Sequence, residues 1–157
     1  MINSKQKLFK WAGFIAIALL LGVGSVFAFN FPGFGNNSTV KAVDGTVTIP
    51  VARISDGKAQ FYRFADGGKE IAFFVVKGTD GAPHVAFDAC DACYKEKKGY
   101  SQAGSFMVCR NCDMKFATNK IGKANNGGCN PSHLDFALSG GNIVIRVDAL
   151  QTGARFF

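Results

Sequence analysis

Five cysteines mark the second half of this 157-residue chain: Cys90, Cys93, Cys109, Cys112 and Cys129, in the pattern C-x2-C-x15-C-x2-C-x16-C. Two C-x-x-C pairs at this separation signal a metal site, because each pair presents two sulfurs from one tight turn and two turns complete a tetrahedron of thiolates. Soft thiolates select zinc, copper(I) or iron–sulfur centres over magnesium or calcium. All five cysteines are therefore candidate metal and cofactor ligands. Cys90, Cys93, Cys109 and Cys112 are the first choice, and Cys129 either replaces one of them or caps the site. Cys129 sits in "NNGGCNPS", where paired glycines let the backbone come close to a ligand. A zinc ribbon uses only four thiolates, so five permit a cluster with one neighbouring thiol, or zinc with one spare.

Two rival uses of the thiols fit less well. A disulfide framework calls for an even number of cysteines. A thioredoxin-like dithiol wants its C-x-x-C at the start of a helix, where the helix N-terminus lowers a thiol pKa, and neither pair precedes a convincing helix. His84 and His133 are spaced near the first pair and near Cys129, where imidazole would suit zinc or copper. With enough cysteines present, each reads first as an ordinary loop residue. Met114, in "CDMKF", reads as core filler before soft ligand. Tyr94, Tyr100, Phe106 and Phe116 flank the pairs and would pack as core or as a wall around the centre. No Ser/His/Asp or paired-carboxylate arrangement stands out, so hydrolytic catalysis finds no support.

The elements that must position these residues are mostly strands. "TVTIPVARI" and "AQFYRF" cluster β-branched and aromatic residues, and a hairpin turn is expected around Asp66 to Gly68. "EIAFFVVKG" reads as a buried strand, ended by the turn signal "TDG". "HVAFDAC" leads a strand into the first pair and "SFMVCRNC" leads another into the second. "ATNKIGKANNGGCNPSHL" has room for a short helical turn and a glycine-rich loop, and "GGNIVIRVDAL" supplies a last strand. The fold class expected is mainly β, or small α+β: one compact β-rich domain with a Cys-rich metal site in loops gathered at one end.

Ahead of that domain, "WAGFIAIALLLGVGSVFAF" carries no charge from Trp11 to Phe29. As a helix it would reach ~28 Å, close to the ~30 Å hydrocarbon core of a bilayer. Lys5, Lys7 and Lys10 lie on its N-terminal side alone, which keeps that end in the cytoplasm. The expectation is a single-pass protein of the cytoplasmic membrane with its C-terminal domain extracytoplasmic. A cleaved signal peptide, ending near "VFA", exports the same domain. The organisation expected is a membrane anchor or uncleaved signal over 1–34, a linker over 35–44 and the Cys-rich domain over 45–157.

The formal charge of +7 is spread along the chain, not gathered into the dense arm or helix of a nucleic-acid binder, so no nucleic-acid partner is expected. Between residues 95 and 123, Lys95, Lys97, Lys98, Arg110, Lys115, Lys120 and Lys123 face only Glu96 and Asp113. Four thiolates on a divalent ion or an oxidised four-iron cluster leave a net negative charge that such cations would stabilise. A solvated basic face near anionic lipid is the other reading.

"VAFDACDACYKEKKGY", "VCRNCDMKFATNKIG" and "GGCNP", together with the upstream "FFVVKGTDG", resemble the FtrD-like membrane iron–sulfur proteins of bacteria and archaea. The likeness runs from about Thr48 to Val147 and keeps the order and approximate spacing of all three cysteine blocks. It implies a membrane-attached, extracytoplasmic-facing domain holding an iron–sulfur cluster, with the family's cysteine motifs falling on Cys90, Cys93, Cys109, Cys112 and Cys129. Some relatives accompany ferrous-iron uptake systems, where a redox step alongside a permease has been proposed. Longer relatives carry many transmembrane helices before the cysteine domain, whereas this sequence shows one candidate span. It would therefore serve a separate permease or redox partner protein. The leading expectation is an iron–sulfur electron-transfer protein, 4Fe-4S in type, serving a redox or iron-uptake system. The alternatives are a zinc-held structural or interaction domain, or a copper- or iron-handling protein.

Overall fold

The computed structural model describes residues 37–122 and 128–157. Their strands are β1 (Ser38–Val40), β2 (Thr46–Pro50), β3 (Gln60–Asp66), β4 (Lys69–Lys77), β5 (Pro83–Phe87), β6 (Tyr100–Ala103), β7 (Phe106–Cys109), β8 (Lys115–Ala117), β9 (Ala137–Ser139) and β10 (Asn142–Arg146). The helix α1 (Val147–Gln151) and four short 3-10 turns complete the described elements. The domain is thus mainly β. Among the described residues no helix is long and apolar enough to cross a membrane. The expected span, 11–29, lies outside them.

Three sheets share the strands, in the orders β1-β3-β4-β5, β2-β10-β9 and β6-β7-β8. Strand β4 explains the arrangement. Its apolar run is buried on both faces, as strands covered from both sides require. Ile71, Phe73 and Val75 join Val85 and Phe87 of β5 in one core with Val47 and Ile49 of β2 and Ile143 and Ile145 of β10. Phe74, Val76 and Ala86 point the other way, into a second core with Tyr100, Met107, Cys109 and Ile121. Full burial of one such Phe or Val side chain stabilises by ~1.5–3 kcal/mol, so β4 anchors both layers.

The expected hairpin is present: Asp66 pairs with Lys69, and Gly67 and Gly68 between them take positive φ, as a two-residue primed turn demands. Two expected strands end early. "TVTIPVARI" stops at Pro50, and Val51–Ile54 form a 3-10 turn that buries Ile54. Proline has no N–H to continue a ladder, and the Val51 N–H instead donates to the Gly141 carbonyl at 3.0 Å. "GGNIVIRVDAL" likewise leaves the sheet at Arg146, whose partner Thr46 is the first residue of β2. With no strand left to pair, the chain turns into α1 and buries Leu150 in the first core.

Candidate metal centre

Each cysteine is placed by the end of a strand or by a loop pinned to one. Strand β5 ends at Phe87, and the chain then turns tightly through the first pair. The Cys93 N–H donates to Cys90 Sγ at 3.2 Å and the Tyr94 N–H to the Cys90 carbonyl at 3.1 Å. The second pair forms a matching turn at the end of β7. The Cys109 N–H donates to the Met114 carbonyl and the Asp113 N–H to the Cys109 carbonyl, both at 2.9 Å, with Asp113 at positive φ.

The third loop is held against the first by backbone bonds. Ala92 N–H donates to the Gly128 carbonyl, Ser132 N–H to the Ala89 carbonyl and Phe87 N–H to the Ser132 carbonyl. His133 forms a bridge with Ala86 of β5. Tyr100 Oη adds a bond of 2.5 Å to the Cys129 carbonyl. Cys129 is thereby held beside the first pair.

The five sulfurs gather into two triads, Cys90–Cys93–Cys129 and Cys93–Cys109–Cys112, in each of which the ligand atoms lie within 4.8 Å of one another. Cys93 is common to both. Cys90 and Cys109 are each 2% exposed, Cys93 and Cys129 are half-buried, and Cys112 faces solvent. The site thus has a dry floor and one open edge.

Three of the thiols are shifted, each by its own surroundings. Hydrogen bonding from Asn111, then from Cys129, draws the Cys93 thiol down to about 7. Bonding to Cys112 and Cys93 pushes Cys129 up to about 12, so of the Cys93–Cys129 pair, 3.6 Å apart, Cys93 gives up its proton the more readily. Burial pushes Cys109 up to about 11. Two further buried groups border the thiols. Burial lifts the Asp88 carboxyl to about 6, although it accepts the Tyr100 N–H at 2.7 Å and feels the charges of Arg110 and Arg63. Burial, and then a hydrogen bond with Cys90, raise Tyr100 above the usual phenol range.

The remaining candidates take other places. His84 bonds the Ile121 carbonyl at 3.0 Å and Asp80 at 3.0 Å. His133 bonds the Gly122 carbonyl, and Asp135 at 2.6 Å. The two imidazoles hold consecutive carbonyls of the loop after β8 and belong to neither sulfur triad; His133 sits in a loop as expected, whereas His84 is a residue of strand β5, paired with Val76. Met114 does not fill core: it is 51% exposed, because the turn that offers its carbonyl to Cys109 points its side chain outward. Phe116 is half-buried against Tyr100 with ring centroids 6.5 Å apart, whereas Phe106 is exposed. Tyr94 packs its edge on Phe156 at 5.6 Å.

Asn111 and Asp88 matter to the site and carried no signal as candidates. The only hint was position: Asn111 lies inside the second pair and Asp88 two residues ahead of the first. A cavity of about 470 Å³ borders Cys90, Cys93 and Cys109 and passes Asp88, Arg63 and Lys97 on its way to Phe156.

The donor set suits an iron–sulfur centre: five soft thiols fall in two triads that share Cys93, with no carboxylate or imidazole in either. Residues 54–157 match the family described as membrane iron-sulfur containing protein FtrD-like. This chain belongs to the FtrD-like family. The match takes in every cysteine and runs past β10 through α1 to the last residue. No curated protein and no solved structure matches the chain. Iron–sulfur binding and membrane association are thus what membership in the FtrD-like family implies for these residues.

Proposed function

We propose that this FtrD-like chain is a single-span, extracytoplasmic electron-transfer protein whose thiolates hold a 4Fe-4S cluster for a redox or iron-uptake system. The observation that carries the reading is the gradient across the five thiols, from Cys90 and Cys109 in the core to Cys112 in solvent. A carrier needs its centre dry enough to set a potential and open at one edge for exchange. Cys90, Cys93, Cys109 and Cys112 would hold the cluster, and Cys129 would replace one of them or cap it. Such a centre supplies one-electron transfer.

The chain's own residues tune that chemistry. The Cys93 N–H and the Asn111 side chain donate toward sulfur, and bonds of this kind stabilise the more reduced, more negative state. Tyr100 and Phe116 exclude water from one side. The outward placement of the domain rests on the uncharged stretch from Trp11 to Phe29 and on Lys5, Lys7 and Lys10 before it.

A second reading is favoured by the sulfur spacing. With Zn–S bonds of ~2.3 Å, a tetrahedral site has sulfur–sulfur edges of ~3.8 Å, within the 4.8 Å limit of the triads. Anaerobic purification separates the two. Brown protein with broad absorbance near ~400 nm and acid-labile sulfide supports the cluster. Colourless protein with about one zinc per chain sinks it in favour of a zinc-held interaction domain.

A further inference from the structure

Cys112 is the exposed member of the thiol set, and exposed cations lie in its own turn and in the loop bonded to that turn. Arg110 and Lys115 are exposed on either side of it in the chain. The loop after the first pair meets the same rim: Tyr100 pairs with Cys109, and the Arg110 N–H donates to the Gly99 carbonyl at 3.0 Å. That contact brings exposed Lys95, Lys97 and Lys98 beside the second turn. Against these five cations stand the exposed carboxylates Glu96 and Asp113. Asp91 is engaged by Arg155 at 2.9 Å, and none of the five cations closes an ion pair with a carboxylate of the described residues.

Unpaired like charges around one exposed thiol repel each other in the free protein and relax when an oppositely charged surface covers them. We infer that this rim is the docking surface for a redox protein whose own one-electron centre is ringed by carboxylates. The inference rests on the electron-transfer reading and names the partner of that same site. In the encounter the electron that leaves past Cys112 is the one the partner's centre gains, and no proton or atom changes hands. An anionic bilayer would be drawn by the same charges, but it has no use for a thiol at the centre of the patch.

The test uses the full chain in neutral-lipid nanodiscs. Reduced protein is mixed with hexacyanoferrate(III), a trianion, or hexaammineruthenium(III), a trication, each of which takes one electron. The rate ratio of anion to cation should be high at low salt and should fall by ~10-fold or more at high salt, as steering predicts. Lys98→Gln, Arg110→Gln and Lys115→Gln together should produce a similar fall without moving the thermal midpoint, whereas Lys41→Gln with Lys58→Gln should not. A ratio unaffected by salt and by the triple substitution overturns the surface.

A second measurement needs no cluster. Hexacyanochromate(III), a paramagnetic anion, should broaden amide resonances of residues 95–99 and 110–115 ahead of the rest. Uniform broadening overturns the surface alone, and a colourless protein overturns the electron-transfer reading alone. Loss of the local broadening when the nanodiscs carry phosphatidylglycerol would show that the face lies on its own membrane, which also overturns the proposal.

Discussion

The thiols of Cys93 and Cys129 lie 3.6 Å apart although 36 positions separate them in the chain. Neither residue is in regular secondary structure. Their contact exists because the Cys129 loop is bonded along β5 and the first turn, through Ala92, Ala89 and Phe87. Cys93 also reaches the second pair, so it is the joint between the two triads.

Substitution of that joint should cost most. Cys93→Ser is expected to remove nearly all bound iron and sulfide, Cys129→Ser to remove much of it, and Cys112→Ser, at the exposed edge, to remove least. Iron and acid-labile sulfide per chain after anaerobic reconstitution rank the three. If Cys129→Ser binds as fully as the parent, Cys129 is a bystander.

Tyr100 couples the wall of the site to the third loop. Tyr100→Phe keeps the ring against Phe74 and Phe116 but deletes the bond to the Cys129 carbonyl. A stability loss of ~0.5–1.5 kcal/mol is expected from the hydrogen bond. Metal affinity should fall ~10–100-fold, the range seen when a group that orients a ligand is removed. Denaturant titration and competition with a chelator measure the two separately.

Gly122 takes φ +69°, and a Cβ there would sit 2.4 Å from the Val85 carbonyl oxygen, a backbone atom of the buried strand β5. Gly81 has φ +80° with open space around it. Gly81→Ala should cost only the left-handed strain, ~1–2 kcal/mol. Gly122→Ala should cost clearly more and displace the loop held by His84 and His133, with thermal unfolding of both variants as the comparison.

Acid should weaken the His84 clamp through Asp80. The hydrogen bond from His84, the largest influence, holds the Asp80 carboxyl below its ordinary value of 3.8. A carboxyl depressed in the folded state contributes stability that is fully present above 3.8 and is lost as pH falls through the lower folded value. Asp80→Asn should therefore lower stability at neutral pH and flatten its acid limb below about pH 4. Unfolding titrations of both proteins from about pH 2 to about pH 7, which bracket the ordinary carboxylate value of ~4, check the sign. Parallel acid limbs would remove Asp80 from the account.

Much of this architecture was legible in local pattern. "EIAFFVVKG" read as a buried strand, and β4 is covered on both faces, because an apolar run without alternation has no side to turn to water. Gly67 and Gly68 marked the hairpin because only glycine enters a primed turn freely. The pattern misled at Pro50 and Arg146, where residues suited to strands had no partner strand left to pair with, and pairing is a property of the whole sheet. At Met114 the tight turn of the second pair, not the residue's hydrophobicity, decided exposure.

For the site, residue chemistry alone determined that five thiols would be available and that soft metal chemistry is the use they suit, since sulfur's preference does not depend on the fold. Only the tertiary structure decided that Cys129 meets Cys93, that Cys93 joins both triads, that Asn111 and Tyr100 serve the sulfurs, and that Cys112 is the exposed edge. Those relationships come from β4 packing a different sheet on each face and from the third loop bonding along β5. Contacts between segments tens of residues apart leave no periodicity in the chain, because they are set by which surfaces bury together.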